Sequence, residues 1–279
     1  MDDALRWWDY WLKGIETGVR DDPAYRAYLQ GTAWPNRMHQ SRAGHWLAEQ
    51  NWPSSRVKPK HFGFAANGVL GGDRADIAVS VNSPLDCGFG TGSFFPMSGK
   101  VPQMPGDQRD DDARSACFDT APLPQYLDIL GSPVIRLRLC CDKPRAQIAV
   151  RLCEVHPDGV SGRVTYGVLN LCHHLGHDAP VDLIPGEAIE ITLPLDQIAY
   201  RVKAGMRLRV AISSTYWPFL WPVAERATLT LLQGTLELPL HQGSTGDEWR
   251  FEEAEGAEPW GARPLRPPLY DKQIVTDLT

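Results

Sequence analysis

The sequence predicts a mainly β protein, a jelly-roll β-sandwich with one short helix at its N-terminus. Residues 147–170, QIAVRLCEVHPDGVSGRVTYGVLN, show why. Apolar residues alternate with others before residue 155, at the period of a strand with two unlike faces. The turn Pro157-Asp158-Gly159 then joins this strand to a second one. The 25 glycines and 23 prolines are typical of many short strands connected by turns.

The first element is the one strong helix, predicted over residues 3–17 with Gly18 as its end. Asp2 or Asp3 can cap it, and acidic residues suit the positive end of the helix dipole. The apolar residues recur at helical spacing and form one face, which comprises Leu5, Trp7, Trp8, Trp11, Leu12 and Ile15. Three tryptophans on one face need an apolar partner. They are therefore predicted to contact another domain, and the isolated chain is predicted to self-associate through them.

From residue 24 onwards, the pattern changes to short strands separated by turn residues. The predicted strands are 24–30, 60–66, 75–82, 133–141, 147–155, 162–171, 187–193, 206–214, 226–232 and 235–240. Further turns are predicted at Asn67-Gly68, Pro185-Gly186, Ala204-Gly205 and Gln233-Gly234. Residues 84–128 are rich in Gly, Pro and Asp and predict a long irregular loop, of a kind that is usually functional or interfacial.

The composition excludes several classes of partner. With 279 residues the chain forms one large or two modest domains, and its net charge is -6. An acidic chain lacks the basic face that nucleic acids or anionic membranes require. No apolar run is long enough to span a bilayer, and no basic region precedes an apolar one as in a secretory signal. The six cysteines form no CxxC pair and indicate a reducing compartment. We expect a cytoplasmic protein that binds no cofactor, nucleic acid or membrane.

The sequence offers no clear nucleophilic serine. A serine hydrolase of the α/β type carries it in G-x-S-x-G on a strand-to-helix turn, and the sequence lacks that motif. The pairs Gly92-Ser93 and Ser98-Gly99 come nearest, but no helix follows either pair. Their glycines are better explained as loop backbone, so no catalytic residue is predicted.

Two clusters contain residue types that can bind metal ions. His173 and His177 would face the same way on a helix and could hold a metal, although a polar loop is the favoured interpretation. The run Asp110-Asp111-Asp112 lacks the alternating spacing of a calcium loop. Because arginines flank it, a solvated or interfacial ion-pair network is the simpler explanation. No metal is predicted.

The sharpest local candidates are aromatic. Two lie on the long loop and the others follow the predicted strand 206–214: Phe94, Phe95, Tyr216, Trp217, Phe219 and Trp221. Aromatic side chains at strand ends can line a ligand cleft or a sugar site. Packing against a neighbouring domain explains them at least as well.

Several segments resemble one enzyme family. RWWDYWLKGIETGV (6–19) resembles the last helix of the catalytic domain in CocE/NonD hydrolases, relatives of cocaine esterase and X-Pro dipeptidyl-peptidases. GHWLAEQNWP (44–53) is similar to the segment that leads into their C-terminal domain. The pattern of that domain is then followed in order by PGDQRDDDARSACFDTAPL (105–123), LGSPVIRLRL (130–139), VRLCEVHPDG (150–159), VTYGVLNL (164–171), IPGEAIEITL (184–193) and AGMRLRVAISSTYWP (204–218).

The resemblance implies an α/β-hydrolase domain with a Ser-His-Asp triad, a helical cap and a C-terminal, galactose-binding-like jelly roll. Residues 1–23 would be the terminal helix of that hydrolase domain, 24–250 the jelly roll and 251–279 a truncated extended tail. The triad positions would lie upstream of residue 1, so none is carried over.

The resemblance further implies that the complete enzyme cleaves an ester, amide or X-Pro dipeptide bond, while this chain alone is inactive. Its partner would be the missing α/β-hydrolase domain, joined covalently or supplied by a neighbouring chain. The alternatives are a stand-alone jelly roll that binds carbohydrate or another ligand, and a scaffold of copies joined through the helix.

Overall fold

The computed structural model describes residues 2–95, 103–243 and 248–251. It forms two compact units, of which the first contains helix α1 (Asp2–Lys13) and the second, Pro23–Trp249, is a β-sandwich. A short helix α2 (Arg109–Asp112) lies in the sandwich. Its strands are β1 (Tyr25–Gly31), β2 (Gly44–Glu49), β3 (Val57–Gly63), β4 (Val79–Val81), β5 (Ala116–Asp119), β6 (Leu127–Gly131), β7 (Val134–Cys141), β8 (Gln147–Val155), β9 (Ser161–Asn170), β10 (Ala188–Pro194), β11 (Ile198–Val202), β12 (Arg207–Ser213) and β13 (Leu229–His241).

The strands form two sheets. The larger has nine strands, in the order β10-β7-β13-β6-β11-β1-β2, with β3 and β4 also paired to β13. The smaller has four, in the order β5-β12-β8-β9. The pair β1–β11 is parallel and the other described pairs of strands are antiparallel. The predicted fold class, a β-sandwich with a short N-terminal helix, is confirmed. In the part of the chain that the structure describes, no helix has the length and apolarity to cross a bilayer.

The main core lies between the two sheets. From the small sheet, β8 contributes Ile148, Val150 and Leu152, none of which is exposed to solvent. From the large sheet, Leu137 and Leu139 of β7 belong to the same apolar cluster. Burying each such side chain stabilises the fold by about 1.5–3 kcal/mol. This shared core fixes the small sheet against the large one.

The second face of β8 is also buried, which the alternating pattern does not reveal. Ala149, Arg151 and Cys153 lie on that face and are fully buried. Residues of the segment between β4 and β5 cover this face, because Gln108, Asp112 and Ser115 all contact the Arg151 guanidinium. In its described residues 84–95 and 103–115, the predicted long irregular loop contains α2 and defined hydrogen bonds, and β5 and β6 then follow.

Helix α1 is shorter than predicted. It ends at Lys13, and Gly14 follows with φ 69°, a conformation that favours glycine. The stop predicted at Gly18 is therefore wrong by one helical turn. Beyond the helix, the Arg6 side chain binds the Thr17 carbonyl oxygen at 3.3 Å and Asp22 at 3.2 Å, which holds the following segment against α1.

One predicted turn is part of a strand instead. The predicted strands 226–232 and 235–240 form the single strand β13, and its register against β7 shifts between Leu231 and Gln233. Gly234 then continues the strand. A Cβ atom at Gly234 would collide with the ring of Phe64, so the glycine makes room for a core side chain.

Candidate functional site

The aromatic candidates occupy different environments. Tyr216 is fully buried, whereas Phe94, Phe95 and Trp221 are 73%, 70% and 81% exposed. Trp217 makes an edge contact with Trp221, with ring centroids 5.5 Å apart. The structure therefore divides the predicted site into a buried part around Tyr216 and an exposed rim.

An arginine that sequence reasoning missed organises the buried part. Arg163 of β9 donates a hydrogen bond from Nη1 to the Tyr216 hydroxyl at 2.8 Å. Its guanidinium carbon lies 4.5 Å from the ring centroid of Tyr166 and 5.2 Å from that of Phe219. Phe94 makes an edge contact with Phe219 at 5.7 Å. We call these five residues the Arg163 cluster.

A β-bulge explains why Arg163 and Tyr166 were missed. Residues three apart on a regular strand point to opposite faces. The register between β8 and β9 shifts here, so that Cys153 pairs with Arg163 while Leu152 pairs with Thr165. The extra residue brings Arg163 and Tyr166 to the same face. A break in period 2 was the available signal, and it is weak within one sequence.

Buried aspartates of α2 position the loop that carries Phe94. The Asp111 carboxylate accepts hydrogen bonds from the backbone N–H groups of Gly88 at 2.7 Å and Gly90 at 2.9 Å. Gln108 donates to the carbonyl oxygens of Gly90 and Gly106 at 2.7 and 2.8 Å. Charge-assisted bonds to backbone of this kind fix a loop strongly. The loop before Phe94 is therefore a positioned element.

An ion-pair network lies beneath the same loop. Asp112 is buried between Arg151, at 3.0 Å, and Arg209, also at 3.0 Å. Arg209 also binds Asp119 through two hydrogen bonds of 2.7 Å each. The interpretation of the acidic run as a solvated or interfacial network is thus wrong for its last two residues. Asp111 and Asp112 are buried internal groups, and the ion pairs of Asp112 hold the loop against the small sheet.

The side chains of the Arg163 cluster are of kinds that bind ligands. Burial raises the pKa of Tyr216 to about 12, so its hydroxyl remains a neutral phenol at physiological pH. Arg163 is a permanent cation, and the other members offer aromatic surfaces. In the described cluster no carboxylate, thiol or imidazole is poised as a nucleophile or general base. The arrangement suits binding of an apolar or aromatic surface with a nearby hydrogen-bond donor.

The remaining candidates lie elsewhere. Ser93 donates its backbone N–H to the Gln103 carbonyl oxygen at 2.8 Å, while Ser98 lies outside the described residues. His173 and His177 do come together, with their Nδ1 atoms 3.3 Å apart. Among the residues that the structure describes, no group of three or more His, Cys, Asp or Glu side chains is arranged to hold a metal ion.

The tryptophans of α1 lie in the other unit. Trp7, Trp8 and Trp11 are each about half exposed, and no residue of the helix is buried. Trp7 and Trp11 make a ring contact of 5.7 Å with each other. The predicted apolar face therefore exists and is open to solvent in the described residues.

Solved structures of similar fold come from hydrolases. An aminopeptidase from the marine sediment archaeon Thaumarchaeota archaeon gives a TM-score of 0.66 at 18% identity, covering 85% of this chain and 43% of that chain. A CocE/NonD family hydrolase from Staphylococcus aureus gives 0.62 at 12% identity, covering 86% and 45%. At these identities the likeness shows a shared fold. The fold is the β-sandwich found in this class of hydrolase.

The family follows from the sequence match. Residues 17–250 match the family described as the X-Pro dipeptidyl-peptidase C-terminal non-catalytic domain, and the chain belongs to that family. A Mycobacterium bovis protein named "Putative serine esterase" is 25% identical over 235 residues, which are 76% of this chain and 35% of that protein. A Mycobacterium tuberculosis protein of the same description matches equally. The chain spans about a third of the length of these relatives.

Proposed function

We propose that this chain is the non-catalytic C-terminal β-sandwich of a CocE/NonD-type serine hydrolase. The match of residues 17–250 to a family of non-catalytic domains carries the proposal. The complete enzyme would cleave an ester, amide or X-Pro peptide bond through an acyl-serine intermediate. Those reactions would take place in an α/β-hydrolase domain, to which residues 1–23 would contribute the terminal helix, 24–250 the jelly roll and 251–279 a tail.

The contacts of the histidines support the absence of a catalytic triad in this chain. A triad needs a histidine ring within hydrogen-bond reach of a serine hydroxyl. In the described residues, histidine rings bond to the Leu171 carbonyl oxygen, to the Glu49 carboxylate and to each other at 173 and 177. None of these bonds involves a serine hydroxyl. Together with the missing G-x-S-x-G, this supports a chain without its own nucleophile.

Two exposed aromatic surfaces support docking to a hydrolase domain. One is the rim formed by Phe94, Phe95 and Trp221, and the other is the tryptophan face of α1. Large exposed aromatics are costly in water and are enriched at protein interfaces. In the proposal, both surfaces contact the α/β-hydrolase domain. The Arg163 cluster, which includes Phe94, borders the substrate cleft of that domain.

An activity assay tests the first half of the proposal. The chain is incubated with p-nitrophenyl acetate, with alanyl-prolyl-p-nitroanilide and with a fluorophosphonate dye that labels active serines. We expect no turnover above background and no labelling. Robust turnover with stoichiometric labelling would show that the chain carries its own nucleophile, and the proposal would fail.

A hybrid protein tests the docking half. The C-terminal region of the Mycobacterium bovis relative is replaced by this chain, and fluorophosphonate labelling is compared with that of the truncated relative. We expect labelling to need the added domain and to fall when Phe94 and Phe95 are both changed to serine. Leu175→Ser, which changes an equally exposed apolar loop residue, is the matched control. Equal labelling in the truncated relative and in all hybrids would contradict the docking role.

A further inference from the structure

A polar cleft lies beside β2, apart from the Arg163 cluster. Its volume is about 420 Å³, within the range of small-molecule sites. The chain after β2 forms one wall, and the end of the sandwich, where Glu248 pairs with Leu47 of β2, forms another. Its lining includes the side chains of Gln50, Asn51, Ser55, Arg56, Glu248 and Trp249.

A buried carboxylate builds the floor of this β2 cleft. Glu49 is almost fully buried, and its Oε2 accepts hydrogen bonds from the Ser54 hydroxyl at 2.6 Å and from Arg56 Nε at 3.2 Å. Its Oε1 is 2.6 Å from Arg56 Nη2 and 2.5 Å from His241 Nε2. Burial alone would raise the pKa of Glu49, but the bonds from Arg56, Ser54 and His241 outweigh it and hold the pKa below its ordinary value. Four contacts saturate this carboxylate.

The loop that carries the lining residues is fixed in place. Trp52 stacks on Tyr25 of β1 with ring centroids 4.2 Å apart. The Ser54 hydroxyl also accepts the backbone N–H of Arg56 at 3.1 Å, and Arg56 Nη2 donates to the Ala48 carbonyl oxygen at 3.1 Å. On the opposite wall, the backbone N–H of Trp249 donates to the Trp46 carbonyl oxygen at 2.9 Å. Both walls are thus preformed, which reduces the entropy lost when a ligand binds.

The charges of the β2 cleft exclude two classes of ligand. A phosphate needs a concentrated positive charge, but the one arginine of the lining is paired with Glu49. A divalent cation needs several free oxygen ligands, but both oxygens of Glu49 already accept hydrogen bonds. Glu248 is then the one remaining carboxylate of the described lining. The cleft as a whole suits a neutral polar ligand.

The side chains around it present planar hydrogen-bonding groups next to an aromatic ring. Gln50 and Asn51 are exposed and offer two carboxamides, Ser55 offers a hydroxyl and Glu248 a carboxylate. Such groups pair with neighbouring hydroxyls of a sugar ring. The indole of Trp249 is half-buried, and the Arg26 guanidinium carbon lies 5.6 Å from its ring centroid. The part of the indole that lines the cleft offers an apolar surface to the C–H face of the same sugar.

We propose that the β2 cleft is a binding site for a neutral saccharide, of one or two sugar units. The carboxamides of Gln50 and Asn51 would hold its hydroxyls, and Trp249 would pack against its ring. The site does not need a catalytic domain, so it is independent of the hydrolase role proposed above. It would retain the chain, and any enzyme to which it belongs, on a glycan.

The test is isothermal titration calorimetry of the whole chain with glucose, galactose, mannose, maltose, cellobiose and lactose at millimolar concentrations. We expect at least one of these sugars to bind. The double variant Gln50→Ala/Asn51→Ala should weaken binding about tenfold, since it removes two or more hydrogen bonds. Its two side chains are exposed, so the fold should be retained. Trp249→Ala should weaken binding by a similar factor.

Matched controls use chemically equal residues elsewhere on the surface. Gln125→Ala and Trp221→Ala change an exposed glutamine and an exposed tryptophan away from the cleft and should leave binding unchanged. Absence of binding for all six sugars would overturn the proposal. So would binding that the double variant leaves unchanged, or binding of inorganic phosphate or calcium in place of sugars. Esterase and labelling assays do not involve this cleft, so failure of either proposal leaves the other standing.

Discussion

Glu154 of β8 is predicted to make the stability of the sandwich fall as the pH rises. Its side chain is fully buried. The Thr32 hydroxyl donates to Oε2 at 2.7 Å, the Tyr200 hydroxyl to Oε1 at 3.4 Å, and His156 Nε2 lies 3.4 Å from Oε1. Burial raises the pKa of Glu154 from 4.5 to about 7, although the Thr32 and Tyr200 hydroxyls and the charges of Arg42 and Lys203 oppose the rise.

The size of the effect follows from proton linkage. Between pH 4.5 and about 7, the folded protein keeps a proton that the unfolded chain has released. The carboxyl group therefore favours folding fully below pH 4.5, and this contribution is lost as the pH rises through 7. A shift of this size corresponds to about 3 kcal/mol of unfolding free energy. That is a large part of the total for a typical domain, about 5–15 kcal/mol.

Glu154→Gln removes the ionisation and keeps the shape of the side chain. At pH 8 the variant should be more stable than the wild type by up to about 3 kcal/mol, and the difference should fall below about 1 kcal/mol at pH 5. Urea unfolding followed by circular dichroism at several pH values measures the free energy of unfolding of the variant and of the wild type. Glu187→Gln, at an exposed glutamate, is the control. If the Glu154→Gln difference is the same at pH 5 and pH 8, the carboxyl group is not protonated in the folded protein and the reasoning is refuted.

Three further perturbations test other parts of the fold. Arg151→Met should destabilise the sandwich by about 3–5 kcal/mol in urea unfolding, because it leaves Asp112 buried without one of its two cationic partners; little change would mean that Arg209 suffices. Gly234→Ala should cost about 1–3 kcal/mol or more, because the added methyl collides with the Phe64 ring; an unchanged melting temperature would contradict this. The isolated chain should self-associate through α1 in analytical ultracentrifugation, and Trp8→Ser/Trp11→Ser should make it monomeric; a monomeric wild type at high concentration would argue against this.

The elements that the sequence predicts well have a strong period of their own. The strand at 147–155 and its partner at 162–171 correspond closely to β8 and β9, because their apolar residues alternate and a clear turn joins them. The strands β2, β5, β6 and β11 were missed. They are four to six residues long, too short for a period to show, and they form because neighbouring strands supply their hydrogen bonds. Whether such a segment becomes a strand depends on its pairing with neighbouring strands in the fold. A single sequence does not reveal that pairing.

The candidate site was likewise predicted only in part. Their aromatic side chains and their positions, on the long loop and just after a strand, pointed to Phe94 and Tyr216. Both contact Phe219 and so belong to the same cluster. Arg163 stayed hidden because a bulge sets its direction, and a bulge is a property of two paired strands. The β2 cleft was not predicted, since its walls come from segments about two hundred residues apart in sequence.

The buried charges of the small sheet explain how the sandwich presents a defined surface around Phe94. An uncovered outer face would leave Arg151 in water, where it would cost little. Covering it with the loop before β5 buries Arg151 and Asp112 and therefore demands that their geometry be satisfied closely. The same loop is tied by Asp111 to the backbone that leads to Phe94. Desolvated ion pairs contribute little net stability, so their effect here is to fix one loop conformation.

Changing Asp111 to asparagine should therefore disturb the position of Phe94 more than it disturbs the core. A loss of the Phe94–Phe219 contact in nuclear Overhauser spectra, without a matching loss of core contacts, is the expected result.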